Sequence, residues 1–298
     1  RSSTSSWMSS SSAEPTVSVV IGSNAPPARL EACLTALEPQ LDEGVEVIVE
    51  SSLACPTEMR ERFPWARFNV APERLVPEHW RDGIDAASGE LVALTIAQMA
   101  PAPDWIATIR RLLAEHEAVG GAIEPGEELR LVDWAEYFCR YAPDMLPFEA
   151  RASVDLPGDN AAYRRALLEG VRETYREGFW EPVTHRRLAA DGVVLRHDPA
   201  LVVRQGRSAG FAAFVRQRRA HGRRYPAQRG VRFGRLRNLA GVAAAPLVTA
   251  LMTMRVLRRV FARRRHRARA LAALPLIVAY NAAWAAAEAR GHLDLLRR

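Results

Sequence analysis

The chain has no lysine: all 41 of its basic residues are arginine. A coding bias across the source genome explains this more simply than selection for one ligand. Cysteine is scarce as well. Cys33, Cys55 and Cys139 give neither metal-ligand spacing nor an even set for disulfides, which favours a reducing compartment. The first 16 residues are serine-rich and lack an apolar stretch. That excludes a secretory signal in this segment and reads as a disordered leader or an upstream scar. Acids are nearly missing from the last third. From Arg204 onward 22 arginines face two acids, Glu288 and Asp294, a net of +20. Residues 1–203 hold 19 arginines and 32 acids, a net of −13.

What is present is a core. Apolar residues make up 48% of 298, ample for one large α/β domain or two small ones. An acidic front joined to a basic, apolar back suggests a globular domain followed by a segment that meets anionic lipid. A nucleic-acid partner is disfavoured, because these arginines alternate with apolar runs and not with base-stacking aromatics. Two apolar segments, 239–254 and 270–287, sit at the lower edge of bilayer-spanning length, about 16–18 residues each. Between them lies the arginine-rich stretch 255–269. If the first segment crossed from a cytosolic domain, that stretch would land outside, against the positive-inside tendency. The first segment is therefore expected to lie in the interface with only the second crossing, or both to lie on the surface. Ordinary core helices of a soluble domain are the alternative.

Val17-Ser-Val-Val-Ile-Gly22 reads as a buried strand. Pro26 and Pro27 open a helix with Leu30, Cys33, Leu34, Leu37 and Leu41 on one stripe, and Val45-Glu-Val-Ile-Val49 is a second strand. Such a βαβ unit requires a parallel sheet. The alternation continues. A short helix is expected at 59–63, a strand at 67–70, a helix at 78–87 and a strand at 91–95. Asp104 is placed to cap a helix running to Glu117. A strand at 118–123 is expected to kink at Gly120-Gly121. Helices follow at 134–141, 160–169, 181–190 and 212–221, with short strands at 193–195 and 201–203. The class is α/β.

The order of motifs resembles family 2 glycosyltransferases. It is carried by Val17-Ser-Val-Val-Ile-Gly-Ser-Asn24, Val45-Glu-Val-Ile-Val-Glu-Ser51, Trp80-Arg-Asp-Gly-Ile-Asp-Ala-Ala-Ser-Gly-Glu90 and Pro101-Ala-Pro-Asp-Trp105. Leu156-Pro-Gly-Asp-Asn-Ala-Ala-Tyr-Arg-Arg165 and Phe179-Trp-Glu181 with Leu188 and Gly192 complete it. The resemblance implies a GT-A-type, mostly parallel sheet flanked by helices over 17–222, with a basic, membrane-associating helical tail at 223–298. It implies that Ser23, Asn24, Glu50, Ser51, Asp82 and Gln98 face a nucleotide-diphospho-sugar. It places Asp159, Asn160 and Trp180 on the acceptor side and makes Glu181 the base; His185, four residues on and on the same helical face by spacing, either orients it or is a plain surface histidine. Read without it, Ser23 and Asn24 end a strand and cap a helix. Glu50 is then a strand-end acid, Trp105 a core anchor, Asp159-Asn160 a turn, and Glu181 a first-turn acid before Pro182.

One element of the family pattern is missing. Where it carries an Asp-x-Asp that binds Mg2+ or Mn2+, this chain has Ile96-Ala97-Gln98, a poor anchor for a hard cation. Three outcomes are open. Arginines replace the metal, with Arg164, Arg165, Arg204, Arg207, Arg216, Arg218 and Arg219 as candidates. A metal binds through Gln98 and the substrate phosphates. Or the domain is a catalytically silent binding or scaffold protein. The expected activity is inverting transfer of a sugar to a lipid-linked or saccharide acceptor, at the cytoplasmic face of a bacterial inner membrane.

Overall fold

The computed structural model describes residues 16–228 and 234–297. The serine-rich leader therefore lies outside the described residues, apart from Thr16. Among the described residues nine strands form one mixed sheet: β1 (Val17–Ser23), β2 (Val45–Ser51), β3 (Ala66–Val70), β4 (Leu91–Ile96), β5 (Met99–Pro101), β6 (Ala118–Pro125), β7 (Arg151–Ser153), β8 (Asn160–Arg164) and β9 (Leu195–Gln205). Their order is β3-β2-β1-β4-β8-β6-β9-β5, with β7 alongside β9. Helices α1 (Pro27–Leu37), α2 (Thr57–Arg62), α3 (Val76–Ala86), α4 (Trp105–Glu115), α5 (Leu131–Tyr141), α6 (Arg165–Gly170) and α7 (Glu181–Ala190) connect the strands.

Every residue of β1 is buried, as the continuous apolar run demands of a central parallel strand. β1 pairs in parallel with β2, from Val17↔Val45 to Ser23↔Ser51, and with β4, from Val17↔Leu91 to Gly22↔Ile96. Ser23, Ser51 and Ile96 thus end on one sheet edge. β8 runs antiparallel to β4, with Thr95 opposite Asn160 and Leu91 opposite Arg164. This reversal brings Asp159 and Asn160 to the carboxyl edge and carries Arg164 and Arg165 to the other.

The structure corrects several expectations. Residues 160–164 form β8 and only 165–170 are helical, because Asn160-Ala-Ala-Tyr163 is buried in the slot between β4 and β6, where ladder bonds outweigh a weak helix preference. The two late strands merge into β9. The expected kink in β6 is a register shift between Gly121 and Ala122; a Cβ on Gly121 would stand 1.9 Å from the Leu201 carbonyl oxygen. Asp104 does occupy the N-cap of α4, but its carboxylate makes no capping bond and accepts the Thr108 hydroxyl at 3.4 Å.

The C-terminal part is helical: α8 (Phe211–Gln228), α9 (Arg235–Ala243), α10 (Ala245–Ala262), α11 (Arg267–Ala272) and α12 (Leu274–Leu296). The boundary expected at 222 falls inside α8. α12 packs on α8, α9, α10 and α5, burying Ile277 and Tyr280 completely. Among the described residues no single helix is long and apolar enough to cross a membrane; α9 and α10 meet that test only together, bent by 62°.

Candidate functional site

Two adjoining cavities open where the carboxyl edge of the sheet meets α7 and the C-terminal helices. The smaller, about 260 Å³, is walled by Asn24, Trp80, Ile96 and Gln98 on the sheet side and by Arg218, His221 and Trp284 on the other. The larger, about 500 Å³, lies between the 155–159 loop, α5 and α10. Arg140, Asp159, Glu181, Pro182 and Arg218 line both.

Glu181 is the first residue of α7, with Pro182 next to it. A helix N-terminus favours a negative charge, yet burial wins here. Desolvation pushes the carboxyl up to about 8, opposed by its own backbone N–H and by Arg140, and assisted by Asp159 and Asp155. The loop before β8 makes this enclosure possible. A Cβ on Gly158 would meet Glu181 Oε1 at 2.6 Å and the Trp80 ring at 2.8 Å, so only glycine lets the loop pass over the carboxyl. Trp80 is fixed in turn by its indole N–H donating to the Thr95 carbonyl at 2.8 Å.

Two cations face this carboxyl from different elements. Arg140 on α5 donates to Asp159 at 2.5 Å and lies 3.5 Å from Glu136. Arg218 on α8 is only 9% exposed and has no carboxylate within 4 Å among the described residues. Its Nη2 donates to Asn281 Oδ1 at 3.1 Å, its guanidinium stacks 4.5 Å from the Trp284 ring centre, and its Nε–H is buried without any partner. Burial, opposed by neighbouring Glu136, lowers its affinity for the proton. A desolvated guanidinium that lines both cavities without a carboxylate beside it is poised for an anion. His221 stands edge-on to Trp180 at 5.4 Å, and burial pulls its imidazole down to about 4.

The sequence-predicted residues divide. Asn24, Gln98, Asp159, Trp180 and Glu181 line the small cavity, and of the seven candidate arginines Arg218 alone does so. Ser23, Glu50 and Ser51 share the same sheet edge but lie buried behind the cavity wall. The Ser23 hydroxyl accepts the Ala25 N–H, and Glu50 accepts Asn69 Nδ2 at 2.6 Å. Burial raises the Glu50 carboxyl, with Asn69 opposing. Asp82 points elsewhere, paired with Arg74 and Arg81. Arg164 and Arg165 sit at the far edge, donating to the Leu113 and Gly89 carbonyls. Arg207 is paired with Glu128, and Arg204, Arg216 and Arg219 are exposed outside both cavities. Asn160 is core: its amide holds the Ala122 and Leu201 carbonyls and accepts the Trp105 indole N–H at 2.8 Å. His185 does not orient Glu181. It is fully buried, with its ring nitrogens on Asp155 and on the Tyr163 hydroxyl, because α7 turns Thr184, His185 and Leu188 inward.

At the metal-motif position Ile96 and Ala97 are buried and apolar, and Gln98 offers one side-chain oxygen. The nearby carboxylate, Asp159, is held by Arg140 and the Tyr141 hydroxyl. Among the described residues no three His, Cys, Asp or Glu side chains converge. These residues do not fit a hard divalent cation, which needs several oxygen ligands.

No protein-family model matches the chain, and no curated protein matches it in sequence. Solved structures do match. A mannosyltransferase from Pyrobaculum calidifontis, in complex with GDP-Man and Mn2+, is 19% identical, with a TM-score of 0.54 over 93% of this chain and 88% of its own. A mycobacterial protein is 18% identical, with a TM-score of 0.50 over 73% of this chain and 76% of its own. At such identity the likeness is one of fold. The chain has the GT-A-type mixed α/β fold of the mannosyltransferase, a curled central sheet flanked by helices, with further helices at its C-terminus.

Sequence reading missed Arg140, His221 and Trp284. Nothing local marks Arg140. Trp284 carried a signal, a lone indole between Ala282-Ala283 and Ala285-Ala286, but treating the tail as a separate unit hid its place against Arg218.

Proposed function

We propose that this chain is a glycosyltransferase that moves a sugar from a nucleotide-diphospho-sugar to an acceptor hydroxyl. The observation that carries this reading is that one carboxyl, Glu181, and one unpaired buried cation, Arg218, line both cavities at once. The small cavity is near the lower end of ligand-site volumes, about 300–1,000 Å³, and suits the sugar and diphosphate end of a donor. Its aromatic walls, Trp80, Trp180 and Trp284, suit the apolar face of a sugar ring. The base and ribose would then extend towards Asn24 and Gln98 on the sheet side of the cavity.

In the reaction Glu181 takes the proton of the acceptor hydroxyl. The resulting oxygen attacks the anomeric carbon from the side opposite the diphosphate, the bond to the diphosphate oxygen breaks, and configuration inverts. Charge growing on the departing nucleotide diphosphate falls on Arg218, with Arg140 behind it; a preorganised cation in a dry site supports such charge without reorganising. The structurally similar mannosyltransferase was solved with GDP-Man and Mn2+; here a guanidinium takes the electrostatic role of such an ion.

The acceptor is lipid-linked or a growing saccharide, presented at the cytoplasmic face of a bacterial inner membrane. Support comes from α9 and α10, where Leu236, Leu247 and Met254 are exposed by 84%, 60% and 59% beside a row of arginines. Calorimetry with UDP and GDP, with and without EDTA, tests the donor site. Binding that survives EDTA is expected; absence of binding by either nucleotide overturns the proposal.

A further inference from the structure

The larger cavity carries more positive charge than the reaction above uses. Arg151 on β7 and Arg259 on α10 line it from opposite elements, both exposed, and neither has a carboxylate within 4 Å among the described residues. The Arg151 guanidinium rests 5.0 Å from the Phe148 ring centre. Arg263 stacks on that same ring at 5.5 Å and is anchored by the Pro147 and Pro143 carbonyls, which stiffens the wall.

Two of the carboxylates of this cavity are already held by other side chains. Asp159 is held by Arg140 and Tyr141, and Asp155 by His185. Asp144 lies 3.5 Å from His197, and burial pushes it up to about 7 against the pull of Arg259. At the inner end stands Arg218, nine-tenths buried with its Nε–H unused. Two exposed guanidiniums thus face one space whose inner end reaches Glu181 and a third cation.

We infer that this cavity binds an acceptor bearing a phosphoryl group, gripped by Arg151 and Arg259, so that the hydroxyl to be glycosylated meets Glu181. The inference rests on the transferase reading and deepens it. Two planar forks from separate elements match a tetrahedral oxyanion bidentately, which a neutral saccharide would leave unpaired. The phosphoryl group comes either from a lipid headgroup or from a soluble phosphate ester.

Titration of the full chain with glycerol 3-phosphate, beside a titration with a nucleotide diphosphate, tests this. Arg151→Gln and Arg259→Gln should each weaken glycerol 3-phosphate binding about tenfold and leave nucleotide diphosphate binding unchanged. Arg258→Gln, one residue away on α10 and outside the cavity, should alter neither. Pelleting with phosphatidylcholine vesicles doped with phosphatidic acid distinguishes the sources. A loss in the same two variants that exceeds the loss in Arg258→Gln marks a lipid phosphate; pelleting no weaker than that of Arg258→Gln, beside weakened glycerol 3-phosphate binding, marks a soluble ester. The inference is overturned if wild type binds no glycerol 3-phosphate, or if binding persists in the double variant or falls only in Arg218→Gln. None of those results touches the donor site, whose own failure would show as lost nucleotide diphosphate binding.

Discussion

The guanidinium carbon of Arg218 lies 4.5 Å from the centre of the Trp284 ring, joining α8 to α12 across the roof of the small cavity. Asn281 continues the link, accepting from Arg218 and donating to Thr253 on α10 at 3.1 Å. Three C-terminal helices therefore build the socket of the cation, and the basic tail is a wall of the site. Without α10 and α12 Arg218 would be hydrated and mobile, and its charge would be screened by water.

Replacing Arg218 by Gln should lower turnover by roughly 10²–10³-fold, the range for removing one preorganised donor to a developing negative charge. Release of nucleotide diphosphate at saturating donor is the readout. Arg218→Lys should not restore it, because an ammonium cannot stack on Trp284 and reach Asn281 with the same planar fork. A fully active Arg218→Gln enzyme would remove the arginine from the mechanism.

As the proposed base, Glu181 predicts a pH signature for turnover. With its carboxyl near 8 the base is largely protonated at neutral pH, so turnover should climb as pH rises and level off above about 8. Glu181→Gln should lose roughly 10²–10⁴-fold in rate and its residual activity should be flat with pH. Stability moves the opposite way. The folded protein holds this proton more tightly than the unfolded chain does, so the contribution is complete below the unfolded value and fades as pH rises through about 8. Glu181→Gln should therefore unfold at a higher denaturant concentration than wild type at pH 9, and the gap should close at acid pH. A pH-independent gap would show that Glu181 does not titrate in this range.

Much of this architecture is legible in the sequence where one local signal suffices. The apolar run of β1 and the stripe of Leu30, Cys33, Leu34 and Leu37 follow from periodicity, and all of these residues are buried. Asn24, Gln98 and Glu181 reach the cavity because parallel strands end on one edge. The reversal of β8 was not legible. Asn-Ala-Ala-Tyr-Arg-Arg has no strand pattern of its own, and only pairing to β4 and β6 makes it one. That reversal exchanges the roles of Asn160 and Arg164, one going to the core and the other to the far edge. His185 misled for a similar reason: i, i+4 spacing places two residues on one helical face, but Glu181 in the first turn faces the cavity while His185 reaches the sheet.

Asn160 offers a direct check on that exchange. Its amide holds two buried carbonyls and the Trp105 indole, so Asn160→Ala should destabilise the fold by about 1–3 kcal/mol through unpaired buried groups. Chemical denaturation reads that loss. In the folded fraction the acceptor KM should be unchanged. A raised KM without loss of stability would return Asn160 to the acceptor site.

The exposed apolar side chains of the tail make a prediction of their own. Leu247, Leu251 and Met254 recur at i, i+4 and i+7 on α10, and the stripe runs on into Arg255 and Arg258. A stripe of that kind, bent by 62° from α9, suits a helix lying in the headgroup plane better than one crossing it. Burying one such side chain in the acyl boundary is worth about 1.5–3 kcal/mol, and each arginine near anionic lipid about 1 kcal/mol. Leu247→Ser with Met254→Ser should then cut pelleting with anionic vesicles at least tenfold. Added salt should weaken wild-type binding without abolishing it, because salt screens the arginines and leaves the leucines untouched. Wild-type protein that stays in the supernatant at low salt would show that α10 meets no membrane, and the acceptor would then have to arrive from solution.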